Sequence, residues 1–320
     1  MESKNLPDGW EEQELNALID IKHGYAFKGK NFTAKETSLI VLTPGNFKIG
    51  GGFKKDKFKF HLENEKFPLE YILNTNYLII TMTDLSIVGD TLGYPTLGPE
   101  LENKQLLHNQ RLGKVIFKTE KIGKYFLYYA LCTNDYRHEV LATVTGTTVK
   151  HTAPSRILKY KLKYPSSIVQ QKKIASILSS LDDKIECNNK MNQTLEKMAQ
   201  SIFKEWFEEF NFPNAEGKPY KTNKGAMQTS ELGEIPEGWE VKVINSLFSV
   251  KDGTHDSPKN KNIGHPLITS KHIKNNQLNI ANTNLICQED FDKINKRSLV
   301  QTNDILIGMI GTVGDLYLVT

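Results

Sequence analysis

Residues 165–207 read PSSIVQQKKIASILSSLDDKIECNNKMNQTLEKMAQSIFKEWF, and they predict one long α-helix. Ser167 can cap its first turn, with Gln170 at the third helical position. Neither glycine nor proline occurs between Ser166 and Phe212. About 40 residues at 1.5 Å each make a rod of roughly 60 Å.

Apolar side chains recur along this segment at alternating steps of four and three residues, which is the spacing of a coiled-coil seam. The predicted seam positions are Ile174, Leu178, Leu181, Ile185, Asn188, Asn192, Leu195, Ala199, Ile202 and Trp206. The alternative is an amphipathic helix that lies on a domain core, but such a helix rarely places two asparagines in its apolar stripe. We therefore predict that the helix pairs with another helix and that the asparagines set the register.

The chain around this helix is duplicated. The segment LPDGWE at residues 6–11 returns as IPEGWE at 235–240, and NYLIITM at 76–82 returns as NDILIGM at 303–309. Val88-Gly89-Asp90 likewise returns as Val313-Gly314-Asp315. Matches that keep both order and spacing predict two similar domains.

The first domain has short, β-branched apolar runs at 39–42, 77–80 and 114–117, separated by glycine and asparagine. This pattern predicts an α+β fold in which strands dominate. The predicted organisation is a first domain at residues 1–165, the helix at 166–210, a polar linker at 211–234 and a second domain at 235–320. The second domain is expected to be incomplete, because it covers only about half the length of the first.

Composition limits the class of protein. The 320 residues carry a net charge of +4, which is compatible with nucleic-acid binding. The three cysteines lie far apart, so neither disulfides nor a zinc knuckle are expected. No apolar run is long enough to span a membrane and no signal sequence is recognisable, so we expect a cytoplasmic protein.

Catalytic motifs are not evident. The segment GYAFKGKN at residues 24–31 nearly matches a phosphate-binding loop, but Asn31 replaces the serine or threonine that would bind magnesium. A glycine-rich turn that presents Lys28 and Lys30 is the better interpretation. His265 and His272 lack metal-ligand spacing. The sequence therefore predicts a protein without catalytic, cofactor or metal residues.

Several polar residues are suited to DNA. Asn109-Gln110-Arg111 offers the side chains that read adenine and guanine edges, although a hydrogen-bonded turn explains the trio equally well. The alternating lysines at 159–163 either track phosphates or protect an exposed strand edge. The predicted DNA-binding residues are Lys28, Lys30, Asn46, Lys48, Asn109, Arg111 and Lys150 in the first domain, and Lys251, His255, Lys259, Ser270 and Lys271 in the second.

These segments resemble a known family. The run QQKKIASIL at 170–178, followed by LDDKI at 181–185 and IFKEWF at 202–207, is similar to the central conserved region of type I restriction–modification specificity subunits. The two Pro-x-Gly-Trp openings look like the starts of their target recognition domains. KDGTH at 251–255 and GHPLITS at 264–270 look like one variety of that domain.

The resemblance implies a division of labour. Each recognition domain is expected to read one half of a split double-stranded DNA site, and paired long helices to hold the two domains. Methylation and cleavage would belong to separate modification and restriction subunits, which use S-adenosylmethionine, ATP and magnesium. This chain departs from the family pattern because no second long helix follows. Its helix is expected to pair with another copy, or the sequence is a fragment.

Two further hypotheses remain. The chain could be a truncated subunit that binds modification subunits or self-associates without reading a full site. A self-sufficient cutting or methylating enzyme is disfavoured by the lack of catalytic motifs.

Overall fold

The computed structural model describes residues 6–74, 76–86, 88–146, 149–254, 257–274, 276–310 and 313–320. It divides into two compact units, one ending at Lys197 and one beginning at Met198. The first unit and the long helix have an α+β architecture, which confirms the fold class predicted from the sequence.

In the first unit the strands are β1 (Trp10–Glu14), β2 (Ile19–His23), β3 (Phe32–Thr33), β4 (Leu39–Val41), β5 (Lys59–His61), β6 (Ile72–Leu73), β7 (Leu78–Thr81), β8 (Thr83–Asp84), β9 (Pro95–Leu97), β10 (Gln105–Leu107), β11 (Leu112–Phe117), β12 (Lys150–His151) and β13 (Lys161–Pro165). The helices are α1 (Leu15–Leu18), α2 (Lys124–Ala130), α3 (Asn134–Ala142), α4 (Pro154–Ile157) and α5 (Ile168–Phe203), which continues as a π-helical turn over Lys204–Glu208.

Two sheets form the framework of this unit. One has the order β2-β11-β7-β9 and is antiparallel, and the other has the order β3-β5-β4-β10-β6 with β10 parallel to β4. Strand β7 is buried on both faces: Leu78 and Ile80 pack with the helices, whereas Ile79 packs with the five-stranded sheet. Alternate residues of a strand face opposite sides, which explains why this sequence is continuously apolar.

Lys161 and Lys163, in the alternating lysine row, face glutamates of a neighbouring strand. Strand β13 pairs with β1, whose sequence is WEEQE, so that Lys163 stands opposite Glu12 and Lys161 opposite Glu14. The Lys163–Glu12 ion pair measures 3.8 Å. The lysines of β13 thus pair with the glutamates of β1 across the two strands. This pairing favours a structural role for the lysines over contact with DNA phosphates.

Helix α5 confirms the long helix predicted from the sequence. Ser167 Oγ accepts a hydrogen bond from Gln170 N at 3.4 Å, as expected for a cap. Gln171 is fully buried: its Oε1 accepts from Gly123 N, and its Nε2 donates to the carbonyl oxygens of Lys121 and Pro165, each at 2.8 Å.

Helix α5 also touches α2 further along. Tyr129 OH donates to Asp182 Oδ2 at 2.8 Å, and Ala175 is buried in the core. The start of α5 therefore lies along α2, since its contacts run from Gly123 at the N-cap of α2 to Tyr129 near its end.

The second unit contains short elements. Its strands are β14 (Met227–Ser230), β15 (Gly233–Pro236), β16 (His265–Leu267), β17 (Ile273–Lys274), β18 (Gln277–Leu278), β19 (Asn284–Ile286), β20 (Ile305–Ile307) and β21 (Leu316–Leu318), and its further helices are α6 (Ile244–Leu247) and α7 (Gln288–Ser298). The antiparallel pairs are β14–β15, β16–β19, β17–β18 and β20–β21.

The stretch predicted as a polar linker, 211–234, has its own structure. Phe212 stacks on Tyr220 and on Trp239, with ring centroids 4.7 and 5.6 Å apart, and Gly225 is packed so closely that an added Cβ would lie 2.4 Å from the Tyr220 ring. Aromatic stacking of this kind orders a segment whose composition is that of a loop. Across the described ranges, the structure contains no helix with the length and apolarity needed to cross a bilayer.

Candidate nucleic-acid interface

Loops that are distant in sequence meet at one end of the four-stranded sheet. The register pairs Gly113 with His23 and Leu112 with Thr81, so β2 ends, β11 begins and β7 ends at the same edge. The segments 24–31, 82–86, 88–93 and 108–111 all lie next to strand ends at this edge. We call this edge the loop end of the sheet.

Arg111 projects from the loop end. Asn109 Oδ1 accepts a hydrogen bond from Arg111 N at 2.9 Å, which is a local turn, and Arg111 O accepts from Met82 N at 2.9 Å. The Arg111 side chain is exposed, while Asn109 is half-buried. The hydrogen-bonded turn predicted as one interpretation of the Asn109–Arg111 trio is therefore present, and it presents the Arg111 guanidinium to solvent.

Lys28 and Lys30 lie beside this turn. Tyr25 N donates to His108 O at 2.8 Å, and Gln110 N donates to Tyr25 O at 2.9 Å. This close approach requires glycine at position 24, because an added Cβ would lie 2.3 Å from His108 O. Both lysines are exposed on either side of Gly29, in a 3-10 turn at Gly29–Asn31, so the loop presents cations as the sequence predicts.

Lys150 joins the same surface through a short strand pair. Strand β12 pairs with β8, so that Lys150 stands opposite Asp84 and His151 opposite Thr83. Lys150 is half-buried, and its Nζ donates to Gly146 O at 3.2 Å. Its aliphatic stem lies against Gly89, where an added Cβ would be 3.6 Å from Lys150 Cγ.

The burial of Asn46 contradicts its prediction as a DNA-binding residue. The side chain has no exposed surface: Oδ1 accepts from Thr43 N at 3.0 Å, and Nδ2 donates to Asp56 O at 3.1 Å. Asn46 thus closes a capping box around the 3-10 turn Pro44–Asn46 and is unavailable to a ligand. Lys48, two residues later, is exposed. Its loop reaches the loop end of the sheet, because Gly52 N donates to Pro95 O at 2.9 Å and Pro95 pairs with Ile80.

Sequence patterns missed a polar network that orders residues 84–86 and 88–93. Asp84 is buried, and its carboxylate accepts from Ser86 N at 2.6 Å and from the amide and hydroxyl of Thr91 at 2.5 Å. Burial opposes ionisation of Asp84, but these hydrogen bonds together outweigh it and hold its pKa below the usual value. Arg137, also buried, donates to Gly89 O from the other side.

The loop that this network holds also carries two solvent-exposed apolar side chains. Leu85 and Val88 are 67% and 68% exposed, next to the cations of the loop end. The only sequence signal for this loop is the repeated Val-Gly-Asp motif, in which Gly89 has a positive φ of 69°. Apolar contacts of this kind suit the thymine methyl group in the major groove.

The second unit contains the same kind of capping-box turn as the first unit. Thr269 and His272 form a capping box around the 3-10 turn Ser270–His272, as Thr43 and Asn46 do in the first unit, and Thr269 N donates to His272 Nδ1 at 3.0 Å. Of the residues predicted there, Lys251, Lys259 and Lys271 are exposed and Ser270 is half-buried, whereas His255 lies outside the described residues.

The predicted seam of α5 changes character along its length. Ile174 packs against the core of the first unit and Leu178 is half-buried. Beyond them the seam side chains are solvent-exposed, namely Leu181, Ile185, Asn188, Asn192, Leu195, Ile202 and Trp206. Ile177, Met191 and Met198 are also exposed and lie beside the seam at one shared heptad position. We call this exposed surface the apolar face of α5.

Comparison with known proteins places these features in a family. A family model described as type I restriction modification DNA specificity domain matches residues 7–197. The chain is 32% identical over 198 residues to the MjaIX specificity subunit of Methanocaldococcus jannaschii, covering 61% of this chain and 41% of the relative. It is 23% identical over 323 residues to the EcoBI specificity subunit of Escherichia coli, covering 98% of this chain and 63% of the relative.

A solved structure is similar at low identity. The type I restriction–modification S subunit from M. genitalium superimposes with a TM-score of 0.46 and 18% identity, covering 65% of this chain and 48% of that chain. The chain thus spans between two fifths and two thirds of the length of these relatives. Since the family model matches more than half of the residues, the chain belongs to the type I restriction–modification DNA specificity domain family.

Proposed function

We propose that this protein is the DNA sequence-specificity subunit of a type I restriction–modification complex. The observation that carries the proposal is the meeting of Lys28, Lys30, Arg111 and Lys150 at the loop end of one sheet. These residues come from loops separated by up to about 120 positions, yet the strand register groups them on one surface. Family membership supports the same conclusion.

The chemistry of the loop end suits both parts of DNA recognition. Lysines bind phosphates and orient the protein on the duplex, which gives affinity without sequence information. A solvent-exposed arginine such as Arg111 can bind guanine O6 and N7 together. Because Asn109 holds the Arg111 backbone in a turn, the backbone at this position is already ordered before the guanidinium binds, and the remaining entropic cost is that of the side chain.

The duplication extends this role to a bipartite site. Each unit contributes lysines and a capping-box turn, and both units lie on one continuous chain. Once the first unit has bound its half-site, the second binds at a high effective concentration, so two weak contacts act as one strong contact.

The chain itself is proposed to be non-catalytic. Its partners would be double-stranded DNA, methyltransferase subunits that modify adenine, and the ATP-dependent restriction subunit. S-adenosylmethionine, ATP and magnesium would be bound by those subunits. Recruitment would use the apolar face of α5, which also offers a surface for self-association.

Methylome sequencing tests this function. A host strain that expresses this chain with methyltransferase subunits is expected to carry adenine methylation at one bipartite sequence, and exchange of either unit should change only the corresponding half. Methylation without a sequence preference, or at an unchanged sequence after exchange of the first unit, would refute the proposal.

A second candidate function is suggested by the apolar face of α5. Six hydrophobic side chains of this face between residues 181 and 202 are 46–58% exposed, namely Leu181, Ile185, Met191, Leu195, Met198 and Ile202. A subunit that uses this face to self-associate or to bind methyltransferase subunits, without reading a full site, would form complexes that ignore DNA sequence. Specific retention of one duplex among random competitors would exclude this candidate.

A further inference from the structure

A small cavity in the first unit lies between two loops that are joined by a hydrogen bond. Leu62 N donates to Asn31 O at 2.9 Å, and β3 pairs with β5 so that Phe32 stands opposite His61. The cavity measures about 100 Å³. It opens between the lysine-bearing turn at 28–31 and the segment that follows β5.

The lining of the cavity is cationic. Lys28 and Lys30 reach it from one loop and Lys66 from the other, and Glu65 is the carboxylate among its lining residues. All three lysines are exposed, and Glu65 is half-buried. Because three positive charges and one negative charge line the cavity, its electrostatic potential favours the binding of an anion.

One buried atom at this cavity lacks a partner. Asn31 lines the cavity and is 7% exposed, and its Oδ1 has no hydrogen-bond partner. An ammonium group has three donors, so a lysine drawn inward by an anion can also donate to Asn31 Oδ1. Binding of an anion would therefore satisfy the unpaired oxygen as well as gather the lysines.

The aromatic rings of the cavity argue against a nucleobase as its ligand. Tyr25 meets Phe27 edge to face at 83°, and His61 meets Phe27 at 73° and Phe67 at 77°. In each of these T-shaped pairs the edge of one ring covers a face of the other, which reduces the open ring surface that base stacking needs. A cationic lining with little open ring surface suits a phosphate group better than a base.

We propose that this cavity binds a backbone phosphate of duplex DNA through Lys28, Lys30 and Lys66, with Asn31 as an internal acceptor. The inference rests on the DNA-binding function proposed above. Tyr25 joins the cavity to the Asn109–Arg111 turn through its hydrogen bonds to His108 and Gln110. A phosphate in the cavity would therefore set the register in which Arg111 meets the base pairs.

Salt-dependent DNA binding by the full chain tests the site. The variants are Lys28→Gln, Lys66→Gln and their combination, and the control is Lys161→Gln, which removes the same charge from strand β13. Because the cavity is proposed to bind a single phosphate, the double variant is expected to lower the slope of log K against log salt by about 0.9, and each single variant by part of that amount, equally on cognate and random duplexes. The control should leave the slope unchanged.

The side-chain amide signals of Asn31 provide a second readout. Duplex DNA should shift them in the wild-type chain but not in the double variant, and inorganic phosphate serves as the probe for a free anion. A shift with inorganic phosphate, combined with an unchanged salt slope in Lys66→Gln, would indicate a small-anion site and overturn the inference.

The two proposals fail separately. If Arg111→Ala weakens DNA binding while Lys66→Gln leaves both slope and signals unchanged, the phosphate site is wrong and the DNA-reading function stands. Loss of binding to only one sequence in Lys66→Gln would show base contact and would also overturn the phosphate assignment. A chain that binds no duplex at any salt concentration would overturn both.

Discussion

Neighbouring residues in the first unit have separate tasks. Asn46 is buried and closes a turn, whereas Lys48 is exposed two positions later. Arg111 is exposed, while the side chain of Asn109 before it accepts the Arg111 amide. At the scale of single residues, a side chain is available to DNA only if the fold has not already engaged its polar atoms.

Arg111→Ala should weaken binding of the cognate duplex by about 1–3 kcal/mol if the guanidinium binds a guanine edge. The physical reason is loss of two hydrogen bonds from one planar group. Fluorescence anisotropy titrations with cognate and random duplexes measure this difference. Equal losses on both duplexes would mean that Arg111 contacts only phosphate.

His108 should make the stability of the chain depend on pH. The ring is 3% exposed, its Nε2 donates to Leu112 O at 2.9 Å, and burial lowers its pKa from 6.5 to about 4. Between these values the unfolded chain binds more protons, so stability falls as pH decreases from 6.5 toward 4. The expected loss from this group is about 2 kcal/mol at pH 5.

Urea unfolding at pH 7 and pH 5 checks the His108 prediction. His108→Gln retains a donor for Leu112 O but does not titrate, so its stability should fall less between the two pH values. The same decrease in wild type and variant would assign the pH dependence to other groups.

At the scale of elements, α5 depends on contacts made at its first turns. Gln171 uses both ends of its amide in bonds to residues outside the helix. The following contact, between Asp182 and Tyr129, lies about three turns further on. Because α5 contacts the rest of the first unit at two separated positions, these contacts fix the direction of its axis. A single contact would fix only the position of one end.

Gln171→Ala should destabilise the first unit by about 1–3 kcal/mol, because it leaves Gly123 N and two carbonyl oxygens without partners. Amide exchange at Gly123 should become faster. Gln170→Ala, at an exposed neighbouring position, is the control and should have little effect on either measurement. Unchanged exchange at Gly123 in Gln171→Ala would show that Gln171 does not anchor the helix.

At the scale of the whole chain, two units share a turn motif, and the sequence of the long helix runs from the first unit into the second. Both contain a capping-box 3-10 turn, although one closes with asparagine and the other with histidine. The helix itself leaves an apolar surface in solvent. Exposed apolar surface of this extent favours association with another helix.

The double substitution Ile185→Asp and Leu195→Asp should abolish association through the apolar face of α5. These side chains are 58% and 56% exposed, so their replacement should not disturb the core. Sedimentation equilibrium of the full chain, alone and with methyltransferase subunits, measures the result. Lys190→Asp is the control, because Lys190 lies on the opposite side of the helix. Association that survives the double substitution would locate the contact elsewhere.

The sequence alone predicts the features that depend on local pattern. The helix followed from its heptad spacing and the absence of glycine and proline, and the strand-rich first unit followed from short β-branched runs. These predictions succeed because helical and strand periods are properties of neighbouring residues. Local composition also predicts that Lys28, Lys30 and Arg111 contact DNA, and these contacts stay predictions.

Tertiary structure decided which of these residues share a surface. Lys66 lies beside Lys28 because β3 pairs with β5, and Lys161 faces Glu14 because β13 pairs with β1. Asn46 is buried for the same kind of reason, since its partner Asp56 lies ten positions away. Pairing between distant segments depends on the register of the whole sheet, and no local pattern in the sequence contains that register.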